Sequence, residues 1–85
     1  MPRDTSPLTL ADLPRVLVAR VTAVCGTGPG AERLLELGFC PGTEVRFERQ
    51  APFGGPLIVS LRGYQLSLRV GEARNVCIEP IGGRP

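Results

Sequence analysis

Glycine and proline punctuate this chain at short intervals: Gly26-Thr27-Gly28-Pro29-Gly30, Pro41-Gly42, Ala51-Pro52-Phe53-Gly54-Gly55-Pro56 and Arg62-Gly63. Such clusters mark turns, so what lies between them must be short elements. Val16 to Cys25 is dominated by β-branched and small residues and reads as the first strand. Thr43 to Arg49 alternates polar and apolar, with Val45 and Phe47 inward and Glu44, Arg46 and Glu48 outward. Leu57 to Leu68 reads as a hairpin turning at Arg62-Gly63, with Tyr64, Leu66 and Leu68 on one face. Asn75 to Glu79 is the last strand, Val76 and Ile78 on one face and Cys77 on the other.

The helical signals are few. Ala31 to Leu37 carries an apolar stripe at Ala31, Leu34 and Leu35 and is stopped by Gly38, Phe39 and Pro41-Gly42. Thr9 to Leu13 reads as one capped turn, with Thr9 and Asp12 serving its N-terminal end and Pro14 stopping it. Arg69 to Arg74 is a short helical or turn segment. Parallel strands need crossovers of a dozen or more residues. These pieces therefore predict a mostly-β fold, a small, partly open antiparallel barrel of about five strands with one short α-helix between strands 1 and 2. Closure of the sheet would remove the edges that invite aggregation. Residues 8–80 form the domain, with a flexible lead-in at 1–7 and a frayed C-terminus at 81–85.

Composition narrows the function classes. At 85 residues there is room for one core, and 42% hydrophobic residues are enough to build it. The ten cations are all Arg, eight acids are spread among them, and a net charge of +2 gives no dense basic stripe. Arg46 in particular is flanked by Glu44 and Glu48, and one Tyr with three Phe is a poor stacking surface, so no nucleic acid is expected. The three cysteines, Cys25, Cys40 and Cys77, are widely spaced and odd in number, which matches no disulfide framework and fits a reducing compartment. Of these, Cys77 reads as the most exposed, because it alternates away from Val76 and Ile78. The longest apolar stretch, Val16 to Val24, is interrupted by Arg20 and is far short of the roughly 20 residues that span a bilayer. No direct membrane insertion is expected.

The chemistry available to such a chain is limited. Without histidine there is no conventional Ser or Cys triad, and the cysteines lack the C-x-x-C spacing of zinc and iron–sulfur sites. The loop Gly26 to Gly30 lacks the lysine of a phosphate cradle and reads as a plain turn. Glu32 and Glu36, four apart on one helical face, offer two carboxylates to a divalent cation, possible only as a weak or intermolecular site; the bland alternative is a pair of solvated acids. The chain is thus expected to be no enzyme and to require no cofactor, and to act by binding.

Three runs carry a family resemblance: Glu32-Arg33-Leu34-Leu35-Glu36-Leu37-Gly38-Phe39 with Pro41-Gly42-Thr43; Ala51-Pro52-Phe53-Gly54-Gly55-Pro56; and Leu66-Ser67-Leu68-Arg69 with Glu72-Ala73. In this order they resemble the FeoA family, ferrous iron transport protein A, and the related carboxy-terminal domains of iron-dependent repressors. Val16 stands where the family commonly has glycine, and Gly55 where it commonly has an acid, so this loop offers a metal no carboxylate. The resemblance implies an SH3-like barrel, a cytoplasmic location, and action as an accessory protein of ferrous iron uptake on a membrane permease with a GTPase domain. The alternative is a regulatory or sensor module of an iron-dependent transcription regulator, acting by protein or nucleic-acid binding, and self-association is a further option.

The candidate partner-binding residues are Arg46 and the loop Pro52, Phe53, Gly54, Gly55 and Pro56, with Phe53 either an apolar anchor or a plug for the barrel end. Gly38, Pro41, Gly42 and Gly63 are expected to be structural turn residues.

Overall fold

The computed structural model describes residues 8–81. In chain order these form β1 (Leu8–Thr9), a 3-10 turn (Leu10–Asp12), α1 (Leu13–Val16), β2 (Val18–Val24), α2 (Pro29–Leu37), β3 (Glu44–Gln50), β4 (Leu57–Leu61), β5 (Tyr64–Leu68), α3 (Val70–Ala73) and β6 (Val76–Pro80). One antiparallel sheet has the order β1-β6-β2-β3-β4-β5. The protein is mostly β, as the turn spacing predicts, but there are six strands instead of five and the sheet is not closed. The additional strand, β1, is two residues long and pairs Leu8 with Ile78 and Thr9 with Cys77. Sheet edges therefore persist, at β1 and β5.

The capped turn at Thr9 is present: Thr9 Oγ1 accepts from the Ala11 N–H at 3.2 Å, and the Thr9 N–H donates to Asp12 Oδ2 at 2.9 Å. Pro14 does not stop it. It sits in the first turn of α1, where a missing N–H costs no helical bond. The stop comes at Leu17, whose φ of 74° leaves the helical region and whose carbonyl accepts from Phe47 N–H at 2.8 Å. As a result β2 begins at Val18, two residues later than the composition of Val16 to Cys25 implies.

Helix α2 takes in Pro29 and Gly30 ahead of the expected start. Leu34 is buried while Ala31 and Leu37 are half-buried, so the inward stripe is Ala31-Leu34-Leu37 and Leu35 faces out. Residues three apart share a helix face, which places Leu35 at the margin of the stripe. At its end the Gly38 N–H donates to the Leu35 carbonyl at 3.0 Å and the Phe39 N–H to that of Leu34 at 3.1 Å, the paired bonds of a Schellman stop. Phe39 is wholly buried, which stabilises the fold by about 3 kcal/mol.

The core forms on one side of the sheet, where Ala19, Val21, Val45, Val59 and Ile78 meet Leu34 and Phe39 with Leu10 and Leu13. Two bulges bend the strands. One falls at Thr22 in β2 and the other at Glu48 in β3, where the alternation of Thr43 to Arg49 ends. Cys77 is buried at 9% exposure and Cys25 is exposed, the reverse of the expected ranking. The reason is topological: β6 lies between β1 and β2, and the Cys25 side chain rests on Cys77. At the C-terminal end the Ile81 N–H still donates to the Val18 carbonyl at 3.2 Å, so the chain is tied to the sheet through that residue. The expected lead-in at 1–7 and the fraying beyond Ile81 lie outside the described residues. No helix among the described residues is long and apolar enough to cross a membrane.

Candidate functional site

Strands β3 and β4 converge on the pair Gln50 and Leu57, leaving Ala51 to Pro56 as a loop that projects from the sheet. It is closed by its own bonds. The Ala51 N–H donates to the Pro56 carbonyl at 3.0 Å, the Gly55 N–H is shared between the carbonyls of Ala51 and Pro52 at 3.3 and 3.2 Å, and Gln50 Nε2 donates to the Gly55 carbonyl at 2.9 Å. Its tip is Phe53-Gly54, with φ of 61° and 73°. A left-handed conformation costs an L-residue roughly 1–2 kcal/mol. Phe53 adopts it while 104% exposed, so its ring plugs nothing and touches no core residue. This settles the orientation that the sequence left open.

Gly55 is held tightly. A Cβ there would stand 2.7 Å from the Ala51 Cβ and 3.2 Å from the Pro52 carbonyl oxygen, so this loop conformation has no room for a side chain. Arg46 lies elsewhere, opposite Val18 and Ser60 on the outward face of β3, about 13 Å of strand before the loop begins. Glu48 on that strand accepts from Ser60 Oγ at 2.7 Å, and Arg46 makes no ion pair among the described residues. Arg46 and Phe53 are therefore separate features of one hairpin instead of a single patch.

Glu32 and Glu36 both lie exposed on α2. Arg33 between them is ion-paired with Glu72. No group of three or more metal-ligating side chains occurs among the described residues, so these two carboxylates would need ligands from water or from another molecule to complete a cation's shell. Glu72, by contrast, is already engaged within the chain: its Oε1 accepts from the Arg69 N–H at 3.1 Å. That bond first, and then Arg33 against the opposing effect of burial, holds the Glu72 carboxyl below its ordinary range.

Gly38, Pro41, Gly42 and Gly63 all lie in turns. Gly38 has a φ of 114°, and a Cβ there would lie 2.9 Å from the Tyr64 hydroxyl, which donates to the Leu37 carbonyl. Arg62 and Gly63, both with positive φ, make the two-residue turn between β4 and β5. Pro41 is exposed at the start of a turn in which the Gly42 N–H donates to the Val21 carbonyl at 2.8 Å. Sequence reasoning missed the outward placement of Leu17 and Leu35, at 53% and 42% exposure. Centring the helical stripe on Leu34 would have found the second.

The FeoA domain profile matches residues 8–80. The chain belongs to the FeoA family. A FeoA of Stenotrophomonas maltophilia, complexed with zinc and described as a procaryotic SH3 domain protein and a candidate ferrous iron transport activating factor, is 37% identical over 85% of this chain and 89% of its own, with a TM-score of 0.74. A FeoA-like protein of Clostridium acetobutylicum is 28% identical over 95% and 94% of the two chains, with a TM-score of 0.84. The manganese regulator SloR shares the fold alone, at 21% identity over 93% of this chain and 40% of its own, with a TM-score of 0.72. No curated protein matches the chain. Among solved relatives the SH3-like character of the family member agrees with the mostly-β sheet seen here.

Proposed function

We propose that this FeoA-family chain is a cytoplasmic accessory protein of ferrous iron uptake, which docks on the cytosolic part of a membrane iron permease bearing a GTPase domain and modulates its transport or GTP turnover. The observation that carries this reading is Phe53, a fully exposed aromatic presented in a left-handed backbone by a loop closed on itself. Binding hot spots are rigid aromatics that fill a pocket on the partner, and a loop ordered before binding loses little entropy on docking. Arg46, outward on β3 and apart from the loop, is a separate exposed charge that would bear on encounter more than on residence. Such a protein alters the permease only by binding one of its states more tightly than another. Membership in a family with one member described as a candidate ferrous iron transport activating factor supports the same reading.

A pull-down against the permease's cytosolic domain, with and without guanine nucleotide, tests it. Phe53→Gly preserves the loop's backbone, and removal of a hot-spot aromatic is expected to weaken capture by about thirtyfold. Capture unchanged by the substitution, or no capture of the unaltered protein in any nucleotide state, would remove the docking role.

A further inference from the structure

The bulge in β2 places two thiols together. Before it, Val21 faces the core opposite Ile78; after it, Ala23 stands opposite Cys77 and Val24 opposite Val76. Side chains alternate along a strand, so without the extra residue Cys25 would turn toward the core. With it, Cys25 and Cys77 share the outer face, as diagonal neighbours on adjacent antiparallel strands. The Cys25 N–H donates to the Asn75 carbonyl at 2.7 Å, which continues the pairing to this point. The two Sγ atoms are 2.9 Å apart. A disulfide needs about 2.0 Å, so bond formation draws the two sulfurs together by roughly 1 Å.

Access differs between the two sulfurs. Cys25 is exposed just beyond the end of β2, whereas Cys77 is buried between β1 and β2. Contact with the Cys25 sulfur first, and burial second, hold the Cys77 thiol above its ordinary range. Cys40 lies in the turn after α2 with its Sγ 3.8 Å from the Leu35 carbonyl, and it has no sulfur partner among the described residues.

We propose that Cys25 and Cys77 form a thiol–disulfide exchange site whose co-substrate is a small-molecule disulfide of the oxidised glutathione class. The Cys25 thiolate attacks one sulfur of the incoming disulfide, releasing the first small thiol and leaving a mixed disulfide on Cys25. Cys77, losing its proton to water, then attacks the Cys25 sulfur and expels the second small thiol. Two protein thiols are thereby oxidised to one intramolecular disulfide while one small disulfide is reduced to two thiols. The bond joins the end of β2 to the interior strand β6.

Intact-mass and thiol counting on the folded full-length chain, equilibrated with excess oxidised glutathione, tests this. The expected result is a fall from three reactive thiols to one, a monomer about 2 Da lighter, and full reversal by dithiothreitol. Cys77→Ser is expected to stop at a glutathione adduct on Cys25, about 305 Da heavier, and Cys25→Ser to leave Cys77 unmodified. Three thiols persisting in the oxidised buffer, a stable glutathione adduct mapped to Cys25 of the unaltered protein, or a Cys40-linked dimer in place of the internal bond would overturn the proposal. The measurement on the unaltered protein is decisive whether or not the serine variants fold.

Discussion

The two hairpin turns of the sheet share one backbone feature and differ in what surrounds it. Both place a non-glycine residue in the left-handed region immediately before a left-handed glycine, Phe53-Gly54 at the end of β3 and Arg62-Gly63 at the end of β4. Around Arg62 the chain is anchored. The stem of Arg62 lies beside Gly38 at the end of α2, and Tyr64 two residues on fastens β5 to the Leu37 carbonyl. Around Phe53 only the loop's own backbone bonds hold the conformation, and the ring, entirely in solvent, adds nothing to them. An exposed aromatic in a strained backbone is a poor way to stabilise a hairpin and an effective way to present a contact. One turn serves the fold; the other is available to a partner.

The largest expected effect falls on the anchored turn. Gly38→Ala puts a Cβ 2.9 Å from the Tyr64 hydroxyl and a side chain at a φ of 114°. The left-handed cost and the lost tether together are expected to destabilise by about 2–3 kcal/mol in denaturant titration, with no change in partner capture beyond the unfolded fraction. The next effect separates the two turns directly. Phe53→Gly relieves strain with no packing to lose and is expected to stabilise the protein by about 1 kcal/mol, whereas Arg62→Gly gives up the contact beside Gly38 and is expected to change stability by less than about 0.5 kcal/mol. Equal gains from both substitutions would erase the contrast.

The smallest effect lies away from both turns and serves as a control. The Glu72 carboxyl is held below its ordinary value of 4.5, chiefly by the Arg69 N–H. A group depressed in the folded state contributes stability that is present above its unfolded value and lost as pH falls through the folded one. Acid titration of stability below about pH 4.5 is therefore expected to be shallower for Glu72→Gln than for the unaltered protein, with the two hairpin turns unaffected.

Elements specified by neighbours in sequence were legible in advance. The alternation of Glu44 to Phe47, the Arg62-Gly63 turn and the stop at Gly38-Phe39 each depend on a few adjacent residues, and each is found where the pattern places it. Features specified by distant partners were not. Two residues at Leu8–Thr9 are too few to carry an alternation, and only Ile78 and Cys77 make them a strand. The burial of Cys77 depends on a bulge fifty-odd positions away, since Thr22 decides which face Cys25 occupies. Pro14 misled because a proline that ends a helix and one that fits its first turn look alike until the start is known. Of the candidate site, the projecting loop was legible from its Pro and Gly content, but the exposure of Phe53 was not, because an aromatic flanked by turn residues fits a core as well as a surface. The distance between Arg46 and that loop is set by the length of β3, which the residue types alone do not display.

The closeness of Gly55 to Ala51 makes the two positions a single packing decision. Any side chain introduced at 55, an acid included, meets the Ala51 methyl at 2.7 Å and the Pro52 carbonyl oxygen at 3.2 Å, so it would come with a shifted course of the loop. A carboxylate grafted onto this tip would therefore redraw the bonds that run from Gln50 to Pro56.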